Sequence, residues 1–310
     1  MRAVVATGRT EQPTELRDVD EPRPRDDEAV VAVECFSLNR GEARRLAASE
    51  EGWRPGWDVA GTVLEPARDG SGPRAGEPVV GFLSLDAAGW AERAAVRTDR
   101  LTRRPDGISA AVSATLPTAG MTALRTLRIG GLLLGKRVLI TGAAGGVGRF
   151  AVELASHAGA EITGVVRSME RAAGLRELGA HDLVTSIEDA ERPVHLVLES
   201  VGGRSLTTAL DLIEPAGTVV SFGYSAGEET TFAAAPWYLK GRPKLVGFTL
   251  FFEGSGESYV DDLSYLMKLV AGDALHPQIA FERDWGELDE TIRDLDERRV
   301  AGKAVLHVRP

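Results

Sequence analysis

Residues 137–168 constrain the fold most, because a glycine-rich turn separates two short apolar runs within this stretch. The first run, residues 138–140, is short enough for one buried parallel strand. After the turn, apolar residues recur at helical spacing as far as Gly159, and a second apolar run covers residues 162–166. The pattern therefore predicts a strand–helix–strand unit whose helix begins directly after the glycines.

The turn itself is typical of a dinucleotide site. Glycine lets the backbone approach a diphosphate closely and lets the helix start against the strand, with its free N–H groups directed at the anion. Ala143, Gly145 and Gly148 fall at the three fingerprint positions, with alanine in place of the first glycine. A tight turn in an unliganded α/β protein is the alternative. The predicted cofactor-binding residues here are Ala143, Ala144, Gly145, Gly146, Val147 and Gly148.

The end of the second strand selects between the two nicotinamide dinucleotides. An NAD site places an aspartate or glutamate there, to bind the ribose 2′-hydroxyl. This chain instead offers Arg167, Ser168 and Arg171. A guanidinium is planar, permanently charged and suited to phosphate, so we predict NADPH rather than NADH as the cofactor. A solvated surface arginine is the alternative reading, and Glu170 reduces the local positive charge.

Length and charge exclude several classes of protein. The chain has 310 residues, which suggests two domains, and a formal net charge of −10, which argues against nucleic acid or an anionic membrane as a partner. It contains no apolar run of about 18 residues, and its N-terminal segment lacks the apolar core of a signal peptide. We therefore expect a cytoplasmic protein that acts on a small molecule.

Cysteine and histidine usage gives no sign of a metal site. Cys35 is the only cysteine, and it continues the alternation of Val31 and Val33, which favours a buried core position over a nucleophile. The five histidines are scattered without metal-ligand spacing. We predict no bound metal.

The remaining pattern predicts two architectures. Residues 1–115 read as β-rich, a helical segment with a kink near Pro117 follows, and strands then alternate with helices, including a helix at 169–178 and a last strand at 244–250. The alternation predicts a doubly wound parallel sheet, and the closing strand, 303–308, is expected to return to the first domain. Ligands of such sheets bind beyond the carboxyl ends of the strands. This rule adds six residues to the predicted site: Ser200, Val201, Gly202, Phe222, Gly223 and Tyr224.

Several motifs together resemble the medium-chain dehydrogenase/reductase superfamily, in its zinc-independent quinone oxidoreductase branch. The resemblance covers nearly the whole chain. It implies an α/β fold with a GroES-like β-rich catalytic domain, residues 1–117 and 252–310, around a Rossmann NADPH-binding domain, residues 118–251. The motifs are residues 37–42 (SLNRGE), 55–61 (PGWDVAG), 88–92 (AGWAE), 116–123 (LPTAGMTA), 142–148 (GAAGGVG), 178–180 (LGA), 201–203 (VGG) and 302–305 (GKAV).

Zinc-dependent relatives carry a ligand cysteine where this chain has Asn39 and a ligand histidine where it has Trp57. Neither an amide nor an indole is a usual zinc ligand, so the resemblance implies hydride delivery from NADPH without zinc. It further places Asn39 and Thr122 near the nicotinamide, with the Asn39 amide donating to a substrate oxygen or serving only as a turn residue. Trp53 and Trp57 are candidate walls of a substrate pocket, and Lys303 is a candidate cofactor ligand.

No tyrosine lies between Asn39 and Trp57, where quinone oxidoreductases and some enoyl reductases carry one. The proton donor is therefore open between solvent and Tyr224. The resulting prediction is an NADPH-dependent oxidoreductase that reduces a quinone or an α,β-unsaturated carbonyl compound. The alternatives are an enoyl-thioester reductase and an NADPH-binding module or tailoring protein with little redox turnover. The resemblance also implies a homodimer through the edge strand at residues 245–250.

Overall fold

The computed structural model describes residues 1–85, 88–252 and 256–309. The chain divides into two compact units, Met1–Met121 with Phe251–Pro310, and Thr122–Leu250. The domain limits predicted from the sequence stay a prediction. No helix of the described residues is long and apolar enough to cross a lipid bilayer.

The first unit is β-rich. Its strands are β1 (Arg2–Ala6), β2 (Thr14–Asp18), β3 (Glu28–Ser37), β4 (Asp58–Glu65), β5 (Pro78–Phe82), β6 (Arg93–Arg97), β7 (Leu101–Arg103), β14 (Ile279–Asp284) and β15 (Lys303–His307). Its helices are α1 (Arg40–Ala47), α2 (Ala110–Ala114), α7 (Tyr259–Ala271) and α8 (Leu288–Asp296). The second unit holds the strands β8 (Arg137–Thr141), β9 (Glu161–Val165), β10 (Asp182–Val184), β11 (Val194–Glu199), β12 (Ile213–Ser221) and β13 (Lys244–Gly247). Its helices are α3 (Met121–Ile129, of which Met121 closes the first unit), α4 (Gly146–His157), α5 (Gly203–Leu212) and α6 (Ala234–Tyr238).

The sheet of the first unit joins strands that are distant in the sequence. Its order is β14-β15-β3-β4-β5-β7, with β6 also paired to β3, and β1 and β2 form a separate antiparallel pair. The last strand lies antiparallel to β3 with Val305 opposite Ser37, which confirms the predicted return of the chain. Strand β14 was not predicted, because its sequence is three apolar residues followed by three charged ones, without the alternation of a strand, and none of its side chains is fully buried.

Helix α2 covers one face of this sheet with small side chains. Cys35 is 2% exposed and packs with Ala60, Ala110 and Ala114, so its predicted core position is confirmed. After α2 the helical path passes through one turn of π-helix, Leu116–Gly120, before α3. Pro117 lies in this turn, and its missing backbone donor accounts for the predicted irregularity.

The sheet of the second unit confirms the doubly wound prediction. All its pairings are parallel, and the strand order is β10-β9-β8-β11-β12-β13. From β8 the chain builds one half of the sheet through β9 and β10. It then returns to the centre, where β11 lies next to β8 and begins the other half. The crevice between the carboxyl ends of β8 and β11 is therefore the switch point at which ligands of such sheets bind.

The predicted helix at 169–178 is wrong. The structure has a single turn of 3₁₀ helix, Met169–Ala172, followed by irregular turns. Gly174 and Gly179 have φ values of +80° and +105°, which a right-handed helix cannot contain. The apolar spacing in this segment serves burial of Ala172 and Leu175 rather than a continuous helical face. The predicted strand at 244–250 is also shorter, because β13 ends at Gly247.

Gly148 fixes the start of α4. A Cβ atom at this position would lie 2.4 Å from the carbonyl oxygen of Gly142 and 2.6 Å from Cα of Ala143. Both neighbours are backbone atoms of the preceding turn and cannot move aside without opening it. The helix begins so close to the end of β8 that only glycine fits.

Gly148→Ala is expected to lower the free energy of unfolding by about 1–3 kcal/mol, the usual cost of overpacking a tight site. Urea denaturation measures this change. Gly247→Ala is the matched control, because nothing lies within 4 Å of a Cβ atom built there. Equal stability of the two variants would contradict the close approach at Gly148.

Candidate functional site

The glycine-rich turn lies at the carboxyl end of β8, at the switch point of the sheet. Gly142 is exposed and has a φ of +63°, and Gly145 is the N-cap of the 12-residue helix α4. The first N–H groups of a helix have no partner within it. Together with the positive end of the helix dipole they form a site suited to a phosphate group.

Ala143 does not make the sharp turn that its fingerprint position suggested. It is fully buried, and its backbone N–H donates to the carbonyl of Val165 in β9 at 3.1 Å. A Cβ atom at Gly164 of β9 would lie 3.1 Å from that of Ala143, so the two strands leave room for one methyl group only. The left-handed residue is Gly142, one position earlier, and this explains why alanine is accepted at 143.

The ends of β8 and β11 are tied together beside this turn. Ser200 donates its backbone N–H to Oγ1 of Thr141 at 2.8 Å and its hydroxyl to the carbonyl of Thr141 at 3.1 Å. A Cβ atom at Gly223 would lie 2.6 Å from the carbonyl oxygen of Ser200, and the Tyr224 ring lies against Gly202. The structure thus brings Ser200 together with Gly223 and Tyr224, as the strand-end rule predicts. Phe222 and Val201 are the half-buried neighbours of these residues.

Glu199 was missed by the sequence analysis. Its carboxylate is fully buried and accepts hydrogen bonds from the backbone N–H groups of Val201 and Gly202, at 2.9 and 3.0 Å, and from the Ser205 hydroxyl at 2.9 Å. Burial raises the pKa of Glu199 from its ordinary value. Its role is to hold the turn that begins α5. The sequence signal that could have indicated Glu199 is an acidic residue at a strand end, directly before the Ser-Val-Gly-Gly turn.

The segment after β9 carries the predicted 2′-phosphate residues. Arg167 is exposed, Ser168 is half-buried and hydrogen-bonds to Glu170, and Arg171 donates its backbone N–H to the carbonyl of Ser168 at 3.2 Å. The Ser168 hydrogen bond lowers the pKa of Glu170, which is solvent-exposed. Two arginines therefore lie beside the turn that could receive a phosphate, with one solvated carboxylate near them.

Lys303 lies in a buried polar cluster of the first unit, together with Asn39, Glu42 and Asp58. Its ammonium group donates to the carbonyl of Leu38 at 2.9 Å and to Oδ1 of Asn39 at 2.6 Å, and lies 3.6 Å from the Asp58 carboxylate. The side chain is 3% exposed. Contact between Lys303 and a cofactor stays a prediction, and in this structure the ammonium group orients Asn39.

Both amide hydrogens of Asn39 are used within this cluster. Nδ2 donates to the carboxylates of Glu42 and Asp58, at 2.9 and 2.8 Å. Because Lys303 can only donate, the amide oxygen must face it, and this fixes the orientation of the amide. Donation from Asn39 to a substrate oxygen, as the resemblance implies, would require one of these hydrogen bonds to break.

Asp58 and Glu42 are further residues that sequence reasoning missed. Asp58 is fully buried and accepts from the Ser37 hydroxyl at 2.8 Å and from the backbone and hydroxyl of Thr118, at 2.9 and 2.5 Å. Glu42 accepts from the backbone N–H of Trp57 at 2.7 Å. Their positions in the SLNRGE and PGWDVAG motifs were the only signal.

The charges of this cluster shift one another's protonation. Burial, followed by the charge of Asp58, raises the pKa of Glu42 to about 8, against the hydrogen bonds from Asn39 and Trp57. Burial lowers the pKa of Lys303, while Asp58 and Glu42 oppose that change. One ammonium group thus faces two carboxyl groups out of contact with water, and burial makes Glu42 hold a proton more readily than an ordinary glutamate.

The two tryptophans of the predicted pocket have different surroundings. Trp57 is 5% exposed, and its ring meets Phe251 edge-on with centroids 4.6 Å apart. Its indole Nε1 is buried and has no hydrogen-bond partner within the described chain. Trp53 is half-buried beneath the guanidinium of Arg45, 5.3 Å from the ring centroid. Their lining of a substrate pocket stays a prediction.

Two further predictions concern Thr122 and metal binding. Thr122 is 7% exposed in α3, and its carbonyl accepts from the Thr126 hydroxyl at 2.7 Å. Contact of Thr122 with a nicotinamide stays a prediction. Over residues 1–85, 88–252 and 256–309, no three histidine, cysteine, aspartate or glutamate residues are grouped as metal ligands.

Comparisons with known proteins agree with this architecture. A family model described as zinc-binding dehydrogenase matches residues 146–268, a segment that contains neither Asn39 nor Trp57. Acrylyl-CoA reductase AcuI of Ruegeria pomeroyi is 32% identical over 233 residues, which cover 69% of this chain and 71% of the relative. A chloroplast envelope quinone oxidoreductase homolog of Arabidopsis thaliana is 35% identical over 199 residues. That match covers 59% of this chain and 58% of the relative's length.

A solved structure extends the likeness to the whole fold. Escherichia coli quinone oxidoreductase complexed with NADPH superposes with a TM-score of 0.88 at 20% identity, over 99% of this chain and 100% of that chain. The β-rich unit and the six-stranded parallel sheet are the fold of these oxidoreductases. The chain belongs to the medium-chain dehydrogenase/reductase superfamily, in its quinone oxidoreductase-like branch.

The raised pKa of Glu42 predicts a pH-dependent stability. The folded protein holds the Glu42 proton more tightly than the unfolded chain does. Protonated Glu42 therefore contributes fully to the free energy of unfolding below about pH 4.5, and this contribution is lost as the pH rises through about 8. Each pKa unit corresponds to about 1.4 kcal/mol, so the free energy of unfolding should fall by a few kcal/mol over this window. Urea denaturation at several pH values measures the fall, and Glu42→Gln should lack it.

The readout is the slope of the free energy of unfolding against pH. The absolute value is not used, because the amide of glutamine at position 42 cannot accept all the hydrogen bonds of the carboxylate and lowers stability at every pH. Glu50→Gln, a change at an exposed glutamate just after α1, is the control and should keep the wild-type slope. An unchanged slope in Glu42→Gln would show that Glu42 does not titrate in this range.

Proposed function

We propose that the protein is an NADPH-dependent oxidoreductase that delivers hydride to a quinone or to an α,β-unsaturated carbonyl compound without zinc. The observation that carries this proposal is the glycine-rich turn at the switch point of the parallel sheet, followed one strand later by Arg167, Ser168 and Arg171. The first feature suits a diphosphate, and the second suits a 2′-phosphate rather than a free 2′-hydroxyl.

The residues present fit such a cofactor. The backbone N–H groups at the start of α4 would hold the diphosphate, and a Cβ atom at Gly148 would fill the space that lets the turn close. Arg167, Ser168 and Arg171 would hold the 2′-phosphate. The E. coli relative, whose structure was solved with NADPH, supports the same choice.

The nicotinamide supplies hydride, and the protein's part is to orient the acceptor and to stabilise charge that develops on its oxygen. Asn39 stands where zinc-dependent relatives have a ligand cysteine, but both of its amide hydrogens are donated to Glu42 and Asp58. The backbone N–H of Trp57 donates to Glu42 of this cluster, and its indole N–H is a buried donor without a partner in the described chain. We therefore assign the oxygen-binding role to Trp57 and the orienting role to Asn39.

The final proton comes from solvent or from Tyr224 in this proposal. Tyr224 is 50% exposed at the carboxyl edge of the parallel sheet, against Gly202. Its half-exposed position on that edge supports Tyr224 as a candidate donor.

An enoyl-thioester reductase is the second candidate, and the Ruegeria relative, an acrylyl-CoA reductase, favours it. The two candidates share cofactor and chemistry and differ in the acceptor. The test is the loss of the nicotinamide absorbance when NADPH is mixed with the protein and a panel of quinones, enones and acrylyl-CoA. Tight NADPH binding without oxidation by any acceptor would favour a binding module instead.

A homodimer is part of this proposal. Strand β13 lies at the edge of the sheet and, in the described part of the chain, pairs on one side only, with β12. Residues 222–249 include no buried side chain, although Tyr238, Leu239 and Leu245 are among them. Pairing of two β13 strands would satisfy the open backbone groups and cover these side chains.

Arg167→Ala is expected to weaken NADPH binding by about tenfold or more, because a charge-assisted hydrogen bond to phosphate is lost. NADH binding should change little, since it has no 2′-phosphate. Fluorescence titration of both cofactors measures the ratio. The control is Arg176→Ala, at an exposed arginine of the same segment that donates to the His181 carbonyl. Equal loss for both cofactors would contradict the assignment.

Trp57→Phe tests the proposed donor to the substrate oxygen. We expect kcat/KM for the best acceptor of the panel to fall by about tenfold to a hundredfold, with NADPH affinity unchanged. Trp90→Phe is the matched control, because Trp90 is equally buried in the same unit and its indole N–H also lacks a partner in the described residues. If both variants lose the same activity, packing rather than the N–H group is responsible.

A further inference from the structure

We propose that Arg149 is a positioning residue that sets the preference for a 2′-phosphorylated cofactor, by joining the glycine-rich turn to the segment that carries Ser168 and Arg171. This inference rests on the proposed function and names a residue that the fingerprint does not include. Arg149 belongs to the first turn of α4, and its guanidinium donates both to Ala144 of the glycine-rich turn and to Ala173.

The contacts of Arg149 connect two loops that are distant in the sequence. Nε donates to the carbonyl of Ala144, in the glycine-rich turn, at 3.3 Å. Nη2 donates to the carbonyl of Ala173 at 2.9 Å, directly after the 3₁₀ turn that carries Arg171. A Cβ atom at Gly174 would lie 3.3 Å from Nη1, so the chain passes closely around the guanidinium. One side chain thus sets the distance between the diphosphate turn and the 2′-phosphate segment.

The segment held in this way has little other regular structure. It contains the single 3₁₀ turn Met169–Ala172 in place of the predicted helix, and Gly174 is in the left-handed conformation. The turn hydrogen bonds within this segment are local, such as that from the Arg171 N–H to the Ser168 carbonyl, and Arg149 adds a bond between the segment and α4. The bond from Arg149 to Ala173 therefore fixes the segment against α4.

The charge of Arg149 has no counter-ion in the described chain. The side chain is 7% exposed, its two acceptors are neutral carbonyl oxygens, and the charge that acts on it is that of Arg171, which is also positive. Burial, and then Arg171, lower the pKa of Arg149, although a guanidinium remains charged near neutral pH.

Burying an unpaired cation is unfavourable, and a nearby dianion offsets part of that cost. The charge of Arg171 acts on Arg149, so a 2′-phosphate held by Arg171 would also interact with the Arg149 charge. NADH, which carries a hydroxyl group there, gains nothing from it. Arg149 therefore increases the affinity for NADPH and leaves the affinity for NADH nearly unchanged.

The experiment compares wild type, Arg149→Met and Arg149→Lys. Fluorescence titration gives the dissociation constants of NADPH and NADH at low and high salt, and thermal unfolding without cofactor gives Tm. Arg176→Met is the matched control, because Arg176 is an exposed arginine of the same region that also donates to a carbonyl oxygen.

In Arg149→Met we expect NADPH affinity to fall by about tenfold and to lose part of its salt dependence, while NADH affinity changes by less than about twofold. Arg149→Lys should restore part of the difference. Without cofactor, Tm of Arg149→Met should stay near that of wild type, since removing a buried unpaired charge offsets the lost hydrogen bonds.

Equal losses for NADPH and NADH, a variant too unstable to fold, or the same change in Arg176→Met would overturn the inference. Failure of the proposed cofactor choice is distinguishable, because in that case the wild-type protein does not bind NADPH more tightly than NADH. A wild type that prefers NADPH, together with an unchanged preference in Arg149→Met, would overturn the role of Arg149 alone.

Discussion

The close approach of helix α4 to strand β8 is the constraint on which the second unit depends. Gly148 lies against the backbone of Gly142 and Ala143 with no space for a methyl group, so the helix starts at the point where the strand ends. Its free N–H groups are thereby directed into the crevice between β8 and β11. The hydrogen bonds of Ser200 to Thr141 hold the other side of that crevice. Every cofactor contact that we propose starts from this geometry.

The first unit depends in a similar way on one buried charge. Lys303 is supplied by the last strand, while Asn39 and Asp58 flank the ends of β3 and β4, so pairing of β15 with β3 is needed to assemble the cluster. An ammonium group and two carboxyl groups out of water are stable only when their hydrogen bonds are satisfied. Asn39 satisfies three of them at once, and its amide is therefore held in one orientation.

Much of the fold followed from the sequence, because hydrophobic periodicity and glycine positions act locally. The strand–turn–helix at 137–168, the doubly wound sheet, the buried Cys35 and the return of β15 were all predicted. The helix at 169–178 was wrong, because apolar spacing alone did not show that Gly174 adopts a left-handed conformation. The fingerprint places Ala143 where the first glycine of the turn is expected, but the residue in the left-handed conformation is Gly142.

The candidate site was less predictable than the fold. Glu42, Asp58 and Glu199 have no periodic signal, and their importance appears only when burial and hydrogen-bond partners are known. The same holds for Arg149, which reads from sequence as an ordinary polar residue of a helix. Conversely, Asn39 was predicted from its motif, but its use of both amide hydrogens could be seen only in three dimensions.

Transfer of a labelled hydride tests the central claim most directly. NADPH carrying deuterium at C4 of the nicotinamide is mixed with the protein and an enone, and the product is examined by NMR. We expect deuterium on the β-carbon of the reduced product and hydrogen from solvent on the α-carbon. Oxidation of NADPH without deuterium in the product, or no oxidation with any acceptor despite tight binding, would contradict it.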